Sequence, residues 1–107
     1  MYNPKQVPEY KFNEDLILSR LEQYVNSTYN KHYANSGKQT TEIVFENGHG
    51  DGFCIGNIIK YAQRFGKKEG RNEQDLYKVI HYALILLGKM HEEDLKDLHD
   101  MQIDLTQ

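Results

Sequence analysis

The sequence predicts an all-α domain of about four helices. Apolar residues recur at three- and four-residue spacing in three separate segments. A fourth segment, rich in β-branched residues, has no second strand anywhere in the chain to pair with. The 107 residues allow one domain with a modest core and not two. Residues 1–12 are expected to form an extended arm and residues 13–104 a single helical domain.

The arm carries both prolines, Pro4 and Pro8, and shows no period. Asn13 is placed to cap a first helix that opens with Glu14 and Asp15, whose charges suit a helix N-terminus. Ile17, Leu21, Tyr24, Val25 and Thr28 follow at helical spacing, so this helix should cover about 14–29. His32-Tyr33 opens an irregular stretch with a turn at Ser36-Gly37. Thr40 or Thr41 can cap a short helix through Glu46; a lone strand there would leave its backbone unsatisfied. Three glycines then fall within Asn47-Gly48-His49-Gly50-Asp51-Gly52. This turn lacks both a preceding strand and the G-x-G-x-x-G spacing, which excludes a dinucleotide-binding fold; Asp51 is read instead as a helix cap.

The chain is organised around residues 53–68. Phe53, Ile55, Ile58, Ile59, Ala62 and Phe65 recur at helical spacing and are expected to face a core. Asn57, Lys60 and Arg64 share another stripe. Gly56 sits beside them, at a cost of about 1 kcal/mol against alanine in a helix. Something approaching the backbone would explain it. Either an anion sits on that stripe, or Gly56 is a helix-crossing point and the cations are solvated surface. Gly66 should end the helix, ahead of a basic, flexible connection. Lys60, Arg64, Lys67, Lys68 and Arg71 together set five cations against one acid, Glu69, within a dozen residues. The run is not a P-loop: no Ser or Thr follows Gly66-Lys67.

Asn72 and Asp75 look like a capping pair for the last helix. Its apolar face runs from Leu76 to Met90, while Asp75, Lys78 and Tyr82 share another face with His81 adjoining. Gly88 is a candidate break or bend. His91, Leu95, Leu98 and Met101 continue the spacing with acids between, a pattern that suits packing on a partner subunit. The expected core is Phe53, Ile58, Ile59, Leu76, Ile80, Ala83, Leu84 and Leu87.

Bulk properties narrow the function. Hydrophobic content is 38% and charged content 27%, ordinary for a globular chain. A net charge of −3 gives no basic field, so nucleic acid is not an expected partner. The one cysteine, Cys54, excludes an internal disulfide and a zinc cluster and fits a reducing compartment. No metal ligand set is expected, no bilayer-spanning run occurs, and the N-terminus lacks a signal-peptide core, so the expected location is cytoplasmic. The apolar spacing past Leu87 exceeds what so short a chain buries alone, and a homo-oligomer is expected.

One set of residues resembles a known family: His32-Tyr33, Glu42, Phe53, Gly56-Asn57, Ile59-Lys60-Tyr61, Arg64, Lys67-Lys68, Asp75-Leu76, Lys78 and Tyr82. In this order they are similar to the phage-borne domain of unknown function 3310, whose members include a small phage nucleotide kinase. The resemblance covers about residues 31–87. Gln74 departs from it, standing where an acid often precedes the Asp-Leu pair, and the 35–52 loop is longer than usual. The resemblance implies a phage nucleotide-binding protein in the infected host cell, with a nucleoside monophosphate kinase as the candidate activity. No cofactor is expected beyond a nucleotide di- or triphosphate as ligand.

Residue chemistry and resemblance meet at one point. Lys60, Arg64 and Asp75 are the candidate catalytic residues. His32, Tyr33, Gly56, Asn57, Tyr61, Lys67, Lys68, Lys78 and Tyr82 join Lys60 and Arg64 as candidate nucleotide-binding residues. Lysine and arginine would hold phosphate oxygens, Tyr33 or Tyr61 would stack on a base, and Asp75 would orient Lys78 or a nucleotide hydroxyl. Phosphoryl transfer draws mainly on positioning and charge, so such a set suffices without a P-loop. Three other readings stand beside the kinase: a nucleotide-sequestering protein that counters host defence, a helical interaction module, and a pyrophosphohydrolase drawing on Glu92, Glu93 and Asp97. The last would need a second acidic cluster, which the sequence lacks.

Overall fold

The computed structural model describes residues 7–32 and 38–106, with side chains described for residues 7–30 and 38–101. The described residues form four helices and no strand: α1 (Glu14–His32), α2 (Thr40–Glu46), α3 (Gly50–Arg64) and α4 (Glu73–Thr106). The expected all-α class is therefore the observed one. No described helix is long and apolar enough to cross a membrane. The chain divides into two compact units, Met1–Ser36 and Gly37–Gln107.

The first unit is built on α1. Residues 7–13 precede it without regular structure. Its start matches the expected position, but the cap differs. Asn13 takes a positive φ of 57° and supplies its carbonyl to Ile17 N–H. The side-chain bond comes from Glu14, whose Oε1 accepts Phe12 N–H at 2.8 Å. Leu21 is buried, and Tyr24, Val25 and Thr28 are half-buried along the expected row.

In the second unit α2 and α4 both pack on α3. Gln39, rather than either threonine, caps α2, its N–H donating to Glu42 Oε1 at 3.3 Å. Lys38 and Glu46 form an ion pair at 2.6 Å across the helix. Gly48, at φ 81°, then turns the chain, and His49 N–H donates to Val44 O. The chain is thus already turning into α3 at His49, and Asp51 lies inside the first turn rather than at the cap. Gly50 is needed where it stands: a Cβ there would overlap the Phe45 ring of α2.

The connection between α3 and α4, expected to be flexible, is held by several backbone hydrogen bonds. Gly66 and Gly70 both adopt positive φ, at 84° and 66°. That lets Gly66 N–H reach Gly70 O at 2.8 Å and Lys67 N–H reach Arg64 O at 3.0 Å. Asn72 then caps α4 as expected, its Oδ1 accepting Gln74 N–H at 3.0 Å, but Asp75 does not complete the expected pair, because its carboxylate turns to Arg64. Gly88 does not break α4, which is one helix of 34 residues, about 50 Å long.

The expected core needs correcting. Phe53, Ile58, Ile80 and Ala83 are half-buried, but Ile59 is 59% exposed, Leu76 44%, Leu84 41% and Leu87 61%. Ile55 and Ala62 also face water. The seam of α3 runs instead through Cys54, Asn57, Ile58, Tyr61, Arg64 and Phe65. The polar and aromatic stripe turns towards α4 because α4 offers matching partners there, Asp75 for Arg64 and Tyr82 for Tyr61. Among the apolar side chains described in this unit, Cys54 alone is fully buried. Burial, reinforced by the nearby Asp51 charge, pushes its thiol pKa up and keeps it protonated and unreactive.

Candidate functional site

The α3–α4 seam brings together the two polar stripes of the sequence. Its centre is Tyr61. The Tyr61 and Tyr82 rings lie almost parallel, with centroids 6.2 Å apart and planes inclined by 10°. Phe53 meets Tyr82 edge-on at 5.7 Å. Two ammonium groups converge on Tyr61 from different helices. Lys60 Nζ of α3 is 5.1 Å from the ring centroid, and Lys78 Nζ of α4 is 4.8 Å. At this range the negative face of an aromatic ring attracts a cation. Tyr61 thus acts as a platform that gathers two positive charges, one exposed and one half-buried.

One turn further along α3, Arg64 lies between two carboxylates. Its Nε is 3.7 Å from Asp75 Oδ1, and its Nη2 is 3.8 Å from Glu69 Oε1. Both are ion-pair distances, too long for hydrogen bonds. Asp75 is 4% exposed, and its Oδ2, like Arg64 Nε, is buried without a hydrogen-bond partner. A small closing movement would bring Nε and Oδ1 into hydrogen-bond range. Glu69 is positioned by the ordered turn, since its Oε2 accepts Asn72 Nδ2 at 3.0 Å. Sequence reading gave Glu69 no role; its signal was being the single acid in the cation run. Because two acids surround Arg64, the positive potential of the site comes chiefly from Lys60, Lys78, Lys67 and Lys68.

The remaining candidates divide. Among the described residues nothing lies within 4 Å of a Cβ built at Gly56. It is therefore no crossing point between the described helices. Asn57 is half-buried and donates its Nδ2 to Phe53 O at 2.9 Å, so its amide is partly spent inside α3. Lys67 and Lys68 are exposed on the turn. Tyr33 and the His32 side chain lie outside the described residues. His81 adjoins Tyr82 at 6.5 Å, and burial holds its pKa below the ordinary histidine range. Among the described residues no three His, Cys, Asp or Glu side chains gather as a metal site would need.

A family model described as a protein of unknown function (DUF3310) matches residues 25–84, more than half of the chain. The chain belongs to this family. The matched block runs from within α1 through all of α2 and α3 and into α4 as far as Leu84, and includes every described residue of the Tyr61 and Arg64 clusters. The rest of α4 lies beyond it. No curated protein matches the chain, and no solved structure does.

Proposed function

We propose that this member of the DUF3310 family binds a nucleotide by its phosphates on the α3–α4 face, in the cytosol of a phage-infected cell. One observation carries the reading: Lys60 and Lys78, from different helices, are held over the same tyrosine ring. A phosphate group beside that ring would find two cations already drawn towards it. The open backbone at Gly56 leaves room for a ligand beside Lys60. Lys67 and Lys68 stand ready on the turn to extend the grip along a di- or triphosphate.

The activity that follows from the resemblance is transfer of a terminal phosphoryl group from a nucleoside triphosphate to a monophosphate. Lys60 and Lys78 would neutralise charge on the moving group, and Arg64 would be oriented by Asp75 and Glu69. A second reading, sequestration without turnover, is favoured by the burial of Asp75. A carboxylate 4% exposed and paired with Arg64 organises the site rather than reaching a substrate. Incubating the protein with mixed mono- and triphosphates and weighing the products separates the two. New phosphorylated species establish the kinase. Tight retention of unchanged nucleotide establishes sequestration. Absence of both product and retention contradicts the nucleotide reading altogether.

A further inference from the structure

The second unit is built inside out compared with an ordinary helical domain. Its seam holds charges and tyrosines beside half-buried aliphatic residues such as Ile58 and Ile80, while much of the aliphatic surface of α4 stands outside. Along α4, Leu76, Leu84, Leu87, Met90, Leu95, Leu98 and Met101 are each 41–61% exposed. Successive spacings of eight, three, three, five, three and three residues keep them on one side of the helix, away from Asp75, Lys78 and Tyr82. They present on the order of 600 Å² of apolar surface, more than a monomer ordinarily leaves open and near the roughly 800 Å² per partner of a standard interface.

We infer that this stripe is covered by α4 of a second copy, running antiparallel. Two features of α4 select that occupant. The first is charge. Residues 92–100 carry Glu92, Glu93, Asp94, Asp97 and Asp100 against Lys96, whereas residues 82–90 carry Lys89 as their one formal charge. Parallel pairing would set acids against acids; antiparallel pairing about His91 sets residues 92–100 of each copy beside residues 82–90 of the other. The second is symmetry. Leu84 and Leu98 lie equally far before and after His91, as do Leu87 and Leu95. A two-fold axis at His91 therefore pairs leucine with leucine on both sides, as a self-complementary interface requires. The pairing leaves the Tyr61–Lys78 face uncovered, because that face lies on the other side of α4.

Sedimentation of the full chain at tens of micromolar tests this. The expected species is a dimer, or a larger assembly containing it. Leu87→Asp and Leu98→Asp should each sediment as a single 12.6 kDa chain. Both positions are more than half exposed, so helicity by circular dichroism should be retained. Orientation is read by oxidation. His91→Cys should cross-link to itself. Leu98→Cys should do so at least tenfold less, but should link to Leu84→Cys when the two proteins are mixed. Buried Cys54 does not compete. A parent chain that sediments as one copy, aspartate variants that assemble as the parent does, or Leu98→Cys linking to itself as readily as His91→Cys would each overturn the inference.

Discussion

Two glycines of α3, one at its start and one in its middle, have opposite roles. At Gly50 a methyl group would strike the Phe45 ring, so Gly50→Ala should lower stability by on the order of 1–3 kcal/mol, the usual cost of overpacking. The loss should shrink in a Phe45→Ala background, because the clash is then gone; chemical denaturation of the four combinations measures it. At Gly56 a methyl group meets nothing. Gly56→Ala should instead raise stability by about 1 kcal/mol through helix propensity. If nucleotide lies against that backbone, the same variant should bind it more weakly while melting at a higher temperature. His81 adds a pH dependence. Its folded pKa lies below the unfolded value, so the unfolded chain takes up more protons, and stability falls as pH drops below the ordinary histidine range. Thermal melts between about pH 7.5 and 5.5 should show this slope, and His81→Gln should flatten it.

At the scale of elements, Arg64 joins α3 to α4 as well as carrying charge. Arg64→Ala would leave the buried Asp75 carboxylate unpaired. The expected loss is roughly 1–3 kcal/mol, at the lower end because the Arg64 side chain is 37% exposed. A lost affinity in that variant would therefore mix binding with folding. The double variant with Asp75→Ala should recover part of the stability, which a denaturation cycle would read as a coupling between the two sites. Much of the element layout was legible in the sequence. Asn72 and Gly66 mark ends of α4 and α3 by well-understood capping chemistry, and the 40–46 segment had to be helical without a strand partner. The orientation of α3 was not legible. Ile55, Ile59 and Ala62 form a convincing apolar row, yet Tyr61 and Arg64 turn inward because Tyr82 and Asp75 await them on another helix. The period of one helix says where a stripe lies, not which neighbour will claim it. Gly50 was hidden for a similar reason: only the path of α2 shows which of the glycines lies beneath a ring.

For the whole molecule, the function proposed above rests on a polar seam between α3 and α4, and the assembly inferred above on an apolar stripe beyond it. The sequence showed both stripes and the residues of the seam. It did not show that Tyr61 gathers Lys60 and Lys78, nor that Glu69 shares Arg64 with Asp75, since these depend on how the turn at 66–70 closes. Lys60 gives the cleanest test, because it is exposed and makes no ion pair on which the described fold depends. Calorimetric titration of the full chain with nucleoside mono-, di- and triphosphates is the decisive measurement. Lys60→Ala should bind about ten- to a hundredfold more weakly than the parent, the loss of one charged hydrogen bond, with an unchanged melting temperature. Lys96→Ala, on the acidic half of α4, should bind as the parent does. Equal affinity in Lys60→Ala and the parent, or no binding of any nucleotide by the folded parent at millimolar concentration, would contradict the account.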